Sequence, residues 1–180
     1  GYVEEAAQAG TNILVFPEMA LTGYAWCTEE GASNGQTVVD IAEAPDGPDG
    51  EYALKLAGLA KDNEMYIVFG TAEPAEDDGE HAYNSAFVCT PEGEVEVYRK
   101  IAPVEGPWCL AGEEPLIVET PWGGMGLSIC KDTYAYPELA RYYMAKGCVF
   151  IANPTARTGT ADGWAELYEN SLENLADQDK

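Results

Sequence analysis

Apolar runs of five or six residues alternate with amphipathic segments in the first part of the chain and predict an α/β protein. Residues 2–10 (YVEEAAQAG) and 51–62 (EYALKLAGLAKD) have the apolar spacing of helices, and the runs NILVF and MYIVFG follow them. These runs predict strands that are buried on both faces. Strands of this kind, each preceded by a helix, are typical of a layered sheet covered by helices.

More strands are predicted in the middle of the chain. YNSAFVCT (83–90) and EVEVYRK (94–100) flank the turn PEGE, while PLIVET and MGLSIC (115–130) flank PWGG. A predicted helix at 137–147 begins with proline and ends with glycine, and the strand CVFIAN (148–153) follows it. This order of strands and helices agrees with a layered α/β fold.

Two segments resemble each other and indicate two related halves. AGTNILVFPE (9–18) and KGCVFIANPT (146–155) both follow a predicted helix, and both place a proline seven residues after a glycine. Residues 162–177 predict one more helix after the second segment. The repetition is what two equivalent halves of one α/β sandwich would show.

Composition narrows the classes of partner. The 180 residues fit one domain, and 32 acidic against 9 basic residues give a net charge of −23, which repels nucleic acid and anionic lipid. No apolar run approaches the roughly 20 residues of a membrane span. Five cysteines without a C-x-x-C pair favour a reducing, cytoplasmic setting. We therefore expect neither nucleic acid nor a membrane as a partner.

The single histidine limits the chemistry. His81 lies in the acidic run EPAEDDGEH (73–81), whose spacing fits no EF-hand and predicts a solvated hairpin loop. Ser-His-Asp and Cys-His mechanisms need an imidazole beside the nucleophile. A zinc site would have to be built mostly from scattered thiols and carboxylates. If the protein is a hydrolase, its base is predicted to be a carboxylate.

Three polar residues follow predicted strands, where α/β proteins gather their chemistry. They are Glu18, Lys100 and Cys130. Each has a plainer interpretation alone, since a cysteine ending an apolar run is commonly structural. Together they form a complete set: a carboxylate accepts the thiol proton, sulfur attacks a carbonyl or nitrile carbon, and an ammonium stabilises the developing charge. A free thiol titrates near about 8.5, and we expect the lysine to stabilise the thiolate.

The contexts of these residues resemble one enzyme superfamily. LVFPEMALTGY, VYRK and GLSICKDTYAYPE contain the three residues, and EGPWCLAGEEP, ARYYMAKGCVFIANPT and WAELYENSLEN add further matches in order. All are similar to motifs of the carbon–nitrogen hydrolase (nitrilase) superfamily. The resemblance implies a four-layer α-β-β-α sandwich. It also implies a single domain over residues 1–180 that lacks the first strand and the C-terminal part of longer members.

The resemblance implies a role for each matched residue. Glu18 is the general base, Lys100 the electrostatic stabiliser and Cys130 the nucleophile. Glu105 matches a second glutamate that orients the site, with a solvated loop carboxylate as the alternative. The backbone N–H of Lys131 is expected to join the oxyanion site, with its side chain facing outward.

Further residues are candidates for substrate binding. Aromatic side chains near the motifs fit either an acyl pocket or plain packing: Trp108, Tyr134, Tyr136, Tyr24 and Trp26. Pro154 and Thr155, at the end of the strand after the nucleophile, complete the implied substrate-binding set. Glu173 and Asn174 match a Glu-Asn pair in the last matched helix.

The implied reaction is hydrolysis of a small amide through a cysteine thioester, with release of ammonia or an amine. Asp132, two residues after the cysteine, favours amides, because nitrile-hydrolysing members often carry Trp-Glu after theirs. An N-carbamoyl hydrolase and a nitrilase remain alternatives. A non-catalytic binding protein of the same fold and a metal-dependent hydrolase are rivals from other classes. The resemblance also implies a homo-oligomer.

Overall fold

The computed structural model describes residues 1–23, 37–47, 50–75 and 79–156. Within these ranges the helices and strands follow one another in an order close to the predicted one. They are α1 (Tyr2–Gln8), β1 (Ile13–Val15), a 3-10 helix (Val39–Ile41), α2 (Glu51–Asp62), β2 (Tyr66–Pro74), β3 (Ala82–Cys89), β4 (Val95–Arg99), β5 (Cys109–Leu110), β6 (Ile117–Thr120), β7 (Gly123–Leu127), α3 (Lys131–Ala135), α4 (Pro137–Ala145) and β8 (Cys148–Ala152).

The strands form two sheets. The first has the order β1-β2-β3-β4, in which β1 runs parallel to β2 and the other neighbours are antiparallel; β5 adds to β3 in parallel. The second has the order β6-β7-β8, with an antiparallel and then a parallel pair. Both predicted hairpins, β3–β4 and β6–β7, are therefore confirmed.

Four layers result from the way apolar side chains alternate across the strands. In β2, Val68 faces a core between the two sheets, where it joins Val88, Leu127 and Ile129. Ile67 points to the opposite face and packs with the alanines of α2, together with side chains of α1. On the far side, α4 covers β8. The α-β-β-α sandwich predicted from the sequence is thus the observed architecture.

The acidic run after MYIVFG differs from its predicted structure. β2 continues to Pro74, and Glu73 lies buried within it rather than in a solvated loop. Its carboxylate pairs with Arg99 Nη2 at 2.6 Å and accepts a hydrogen bond from Ser85 Oγ at 2.6 Å. The prediction for this residue was wrong because the arginine that neutralises it comes from a distant strand.

None of the described helices has the length and apolar character that a membrane crossing requires.

The close contact between α4 and the second sheet depends on a glycine in β7, which has no side chain. Gly126 lies in β7, and a Cβ there would stand 2.6 Å from the ring of Tyr143, which is fully buried. We expect Gly126→Ala to lower the free energy of unfolding by about 1–3 kcal/mol, because helix and strand must separate. Urea denaturation measures this.

The matched control is Gly58→Ala in α2. Gly58 is exposed, and in the described part of the chain nothing lies within 4 Å of its added Cβ. Alanine is the better helix former, so this variant should be more stable by about 0.5–1 kcal/mol. Equal effects of the two substitutions would contradict the packing argument.

Candidate active site

Three strand ends bring the predicted residues together. Glu18 follows β1, Lys100 follows β4, and Cys130 comes three residues after the end of β7. The backbone N–H of Lys100 donates to Asn84 O at 2.8 Å, and that of Cys130 donates to Pro154 O at 3.0 Å. These bonds hold Lys100 against the first sheet and Cys130 against the end of β8. The site therefore lies where the two sheets meet.

A glycine in β2 lets the Glu18 segment approach the sheet. A Cβ at Gly70 would lie 2.6 Å from Glu18 Cα and 2.5 Å from Met19 N, contacts that no side chain tolerates. Gly70 N also donates to Pro17 O at 3.3 Å. The Glu18 side chain is consequently buried in the molecule and not spread over its surface.

A buried lysine joins two buried carboxylates at the centre of the site. Lys100 Nζ lies 2.8 Å from Glu18 Oε1 and 2.5 Å from Glu105 Oε1. Asn84 Nδ2 donates to the same two oxygens, at 2.8 Å and 2.9 Å. Glu105 is additionally fixed by the backbone N–H of Val104, 2.7 Å from its Oε2. The structure thus places Glu105 beside Lys100 and not in a solvated loop.

The lysine is held in its charged form. Burial works against the ammonium, but hydrogen bonds and charge attraction from Glu105 and Glu18 outweigh that penalty and raise the pKa of Lys100 above its ordinary value. Its side chain is only 1% exposed. The site therefore contains a permanent cation between two carboxylates at every physiological pH.

Cys130 occupies a strained turn between β7 and α3. Its backbone has φ 45° and ψ −108°, a conformation that non-glycine residues rarely adopt, and it directly precedes the first residue of α3. Its Sγ lies 3.2 Å from Tyr134 Oη and 3.9 Å from the carbonyl oxygen of Ala156. The backbone N–H of Ala156 donates to Glu18 Oε2 at 3.1 Å. The backbone of Ala156 thus contacts the sulfur through its carbonyl oxygen and the Glu18 carboxylate through its N–H.

Lys100 acts on the Cys130 thiolate in the expected direction, but other effects at the sulfur outweigh it. Burial raises the pKa of the Cys130 thiol, and the charge of Glu18 and a hydrogen bond with it raise the pKa further. The Tyr134 hydrogen bond and the Lys100 charge lower it, but they do not prevail. These effects favour the protonated thiol, and the Glu18 carboxylate lies close enough to interact with it.

The other predicted residues lie around this centre in different ways. Lys131 is the first residue of α3, where backbone N–H groups lack partners inside the helix. The carbonyl oxygen of Pro154 accepts a hydrogen bond from the backbone N–H of Cys130, whereas the exposed Thr155 donates its hydroxyl to Asn153 O at 3.1 Å. Trp108 packs, half-buried, beside the cluster that contains Met19.

The predicted aromatic residues differ in their position. Tyr134 is 60% exposed with its hydroxyl on the sulfur, and Tyr136 is 46% exposed. The remaining predicted residues lie outside the described ranges: Tyr24, Trp26, Glu173 and Asn174. Within those ranges, no group of three or more histidine, cysteine or acidic side chains is arranged to hold a metal ion.

Sequence reasoning missed two buried polar residues of the site. Asn84 bridges the two carboxylates, as described above. Asp132, noted only as a departure from other sequences, is 1% exposed and accepts hydrogen bonds from chain segments of both sheets. Asn84 stands in the middle of a buried strand, where a polar residue in YNSAFV was the available signal.

Comparison with known proteins decides the family. The family model described as Carbon-nitrogen hydrolase matches residues 1–176. The chain belongs to the carbon-nitrogen hydrolase family. The chain is 36% identical over 155 residues to the nitrilase of Pyrococcus abyssi, in an alignment that covers 84% of the chain and 55% of the relative. The chain is also 31% identical over 167 residues to the omega-amidase NIT2 of Mus musculus, in an alignment that covers 86% of the chain and 55% of that relative.

Solved structures of the family share the fold. A variant of the amidase from Nesterenkonia sp. AN1, with the acetamide moiety of fluoroacetamide added covalently at its active-site cysteine, matches with a TM-score of 0.67. The match has 23% identity and covers 88% of the chain described here and 57% of the amidase chain. The chain spans about 55% of the length of the two curated relatives named above.

Proposed function

We propose that this protein hydrolyses the C–N bond of a small amide through a thioester on Cys130. The observation that carries the proposal is the position of Glu18. Its carboxylate bonds Lys100 through one oxygen, while the other accepts from Ala156 next to the Cys130 sulfur. A base, a nucleophile and a fixed cation within one buried cluster are the parts that acyl transfer requires.

In the first step, the Cys130 sulfur attacks the amide carbon as Glu18 accepts the thiol proton. The S–C bond forms and the carbonyl oxygen takes up negative charge. Lys100 directs two of its three N–H bonds at Glu18 and Glu105, which leaves the third for this oxygen. The backbone N–H of Lys131 is the second proposed donor. When this tetrahedral intermediate collapses, the C–N bond breaks, and Glu18 gives the proton that it accepted to the leaving nitrogen.

In the second step, water replaces the leaving amine. Glu18 takes a proton from the water as the water oxygen attacks the thioester carbon. The C–O bond forms, the S–C bond breaks, and the proton passes to the departing sulfur. The carboxylic acid leaves, and Cys130 returns to the protonated thiol that its surroundings favour. One carboxylate thus serves both halves of the cycle, so no cofactor is needed in this scheme.

The nature of the C–N bond is the finer part of the proposal. The residues after Cys130, Lys131 and Asp132, favour an amide, and one relative is named as an omega-amidase. A nitrile is the second candidate, because another relative is named as a nitrilase. An N-carbamoyl substrate would release carbon dioxide as well as ammonia.

The experiment is a panel of short amides, N-carbamoyl amines and nitriles with matched acyl chains. Release of ammonia and carbon dioxide by the full chain is measured. Intact mass spectrometry of acid-quenched samples then detects any acyl adduct on the protein. We expect ammonia release and an adduct on Cys130 with amides. A folded protein that releases no ammonia and forms no adduct would favour a binding role. Activity abolished by a chelator but resistant to thiol alkylation would indicate a metal-dependent hydrolase.

Glu18→Gln should have opposite effects on turnover and on thiol reactivity. Losing the base should lower kcat at least about 100-fold. Losing its negative charge and hydrogen bond should lower the pKa of Cys130, because both raise it in the native protein. The pH at which iodoacetamide alkylates Cys130 at half its maximal rate should therefore fall.

The control for this pair of measurements is Glu114→Gln, which removes an exposed carboxylate. It should leave both the turnover and the alkylation profile unchanged. If Glu18→Gln raised the alkylation midpoint, or kept normal turnover, Glu18 would not be the base.

A further inference from the structure

Asp132 joins the two segments that carry the proposed nucleophile and cation. It is 1% exposed and lies in α3, two residues after Cys130. Its Oδ2 accepts a hydrogen bond from Tyr98 Oη at 2.8 Å, and its Oδ1 accepts one from the backbone N–H of Ala102 at 3.0 Å. Tyr98 and Ala102 stand two residues before and two residues after Lys100.

The same carboxylate also holds the nucleophile turn. Ile129 N, in the residue before Cys130, donates to Asp132 Oδ2 at 3.3 Å, and Asp132 N donates to Ile129 O at 3.0 Å. One buried side chain therefore contacts the first sheet on both sides of Lys100 and the second sheet beside Cys130.

The chemistry of the contacts explains why this residue is an acid. All three partners are donors, namely one hydroxyl and two backbone N–H groups. A carboxylate offers acceptors to all three, whereas an asparagine of equal size would turn an NH2 group toward one of them. Burial raises the pKa of the Tyr98 phenol, and the charge of Asp132 raises it further, so the phenol keeps the proton that it donates.

We propose that Asp132 and Tyr98 are positioning residues that set the distance between the Cys130 sulfur and the Lys100–Glu18 pair. The inference rests on the function proposed above. Neither residue touches the reacting atoms. Their bridge crosses the junction of the two sheets, where a small shift separates nucleophile from base and cation. Misplacement of reacting groups by about 1 Å lowers rates by about 100-fold.

The test compares Asp132→Asn and Tyr98→Phe with the control Tyr143→Phe. Tyr143 is another fully buried tyrosine, whose hydroxyl donates to Leu127 O instead of to Asp132. Both phenylalanine variants lose one buried hydroxyl and should lose similar thermal stability. Tyr98→Phe should lower kcat about tenfold and Asp132→Asn about 100-fold, with KM changing less, while Tyr143→Phe stays within about twofold.

The pH profile of Cys130 alkylation gives a second measurement that needs no turnover. The charged and titratable groups facing the sulfur are Glu18, Lys100 and Tyr134. A loosened bridge moves the sulfur away from Glu18 and toward water, so the alkylation midpoint should fall in Asp132→Asn and Tyr98→Phe but not in Tyr143→Phe. Alkylation at Cys130 is read by peptide mass spectrometry, because the chain has four other cysteines.

The outcomes separate the two proposals. If wild-type protein hydrolyses nothing, the proposed function fails, yet a midpoint shift confined to Asp132→Asn and Tyr98→Phe still supports the bridge. If all variants lose kcat in proportion to thermal stability, or if folded Tyr98→Phe keeps the wild-type kcat and alkylation profile, the positioning role is overturned.

Discussion

Cys130→Ser is expected to reduce ammonia release by at least about 10⁴-fold, because it removes the proposed nucleophile while nearly keeping the size of the side chain. The serine hydroxyl is far less acidic than a thiol, and the burial that already raises the pKa of the cysteine penalises an alkoxide even more. Steady-state ammonia assays measure the loss, and the acyl adduct should vanish from the mass spectrum. Thermal unfolding should stay close to wild type.

The control for this substitution is Cys148→Ser. Cys148 is also a free cysteine and begins β8, at the opposite end of that strand from Pro154. The Cys148→Ser variant should keep the wild-type rate of ammonia release and should still form the acyl adduct on Cys130. Full turnover by Cys130→Ser, or equal losses in the two variants, would rule out the thioester mechanism.

Lys100→Met should be damaging in two ways at once. It removes the proposed donor to the oxyanion, which costs about 10³-fold in kcat. It also leaves Glu18 and Glu105 buried side by side without their cation, which we expect to lower the free energy of unfolding by about 3–5 kcal/mol. Enzyme kinetics and urea denaturation measure the two effects separately.

The stability loss should depend on pH. Without the ammonium, repulsion raises the pKa of the carboxylate pair in the folded state above the unfolded value, so the folded protein binds more protons. Stability then falls as pH rises, and the deficit against wild type should be larger near about pH 8 than near about pH 5. A deficit independent of pH would contradict the unpaired-charge explanation.

A double variant separates charge from catalysis. Lys100→Met combined with Glu105→Gln removes one of the two stranded carboxylates while keeping the volume of the side chain. It should recover much of the stability lost in Lys100→Met but none of the turnover, since the donor is still missing. Recovery of turnover would mean that Lys100 acts only by holding the fold together.

Much of the fold was predictable because its signals are local. The helix over residues 51–62 and the two hairpins follow from spacing and turn residues within a few positions. The helix α3 was missed because five residues, KDTYA, carry no apolar period. The extension of β2 through Glu73 was missed because its partners, Arg99 and Ser85, are distant in sequence.

The candidate site also contains residues with a local sequence signal and residues whose importance depends on distant contacts. Glu18, Lys100 and Cys130 could be selected as candidates because a polar residue after an apolar run is visible in the sequence. Asp132 and Asn84 acquire their importance from donors and acceptors on other strands. The resting state of the sulfur was also beyond the sequence, since it depends on how far burial and Glu18 outweigh Lys100.

The junction between the sheets has a consequence for how this enzyme family changes over time. Carboxylates and ammonium come from the first sheet and sulfur from the second, and interior residues such as Val88 and Leu127 set the spacing between them. A neutral-looking exchange of one aliphatic residue for another there alters the alignment of reacting groups. We therefore expect substitutions in this apolar layer to change turnover as well as stability.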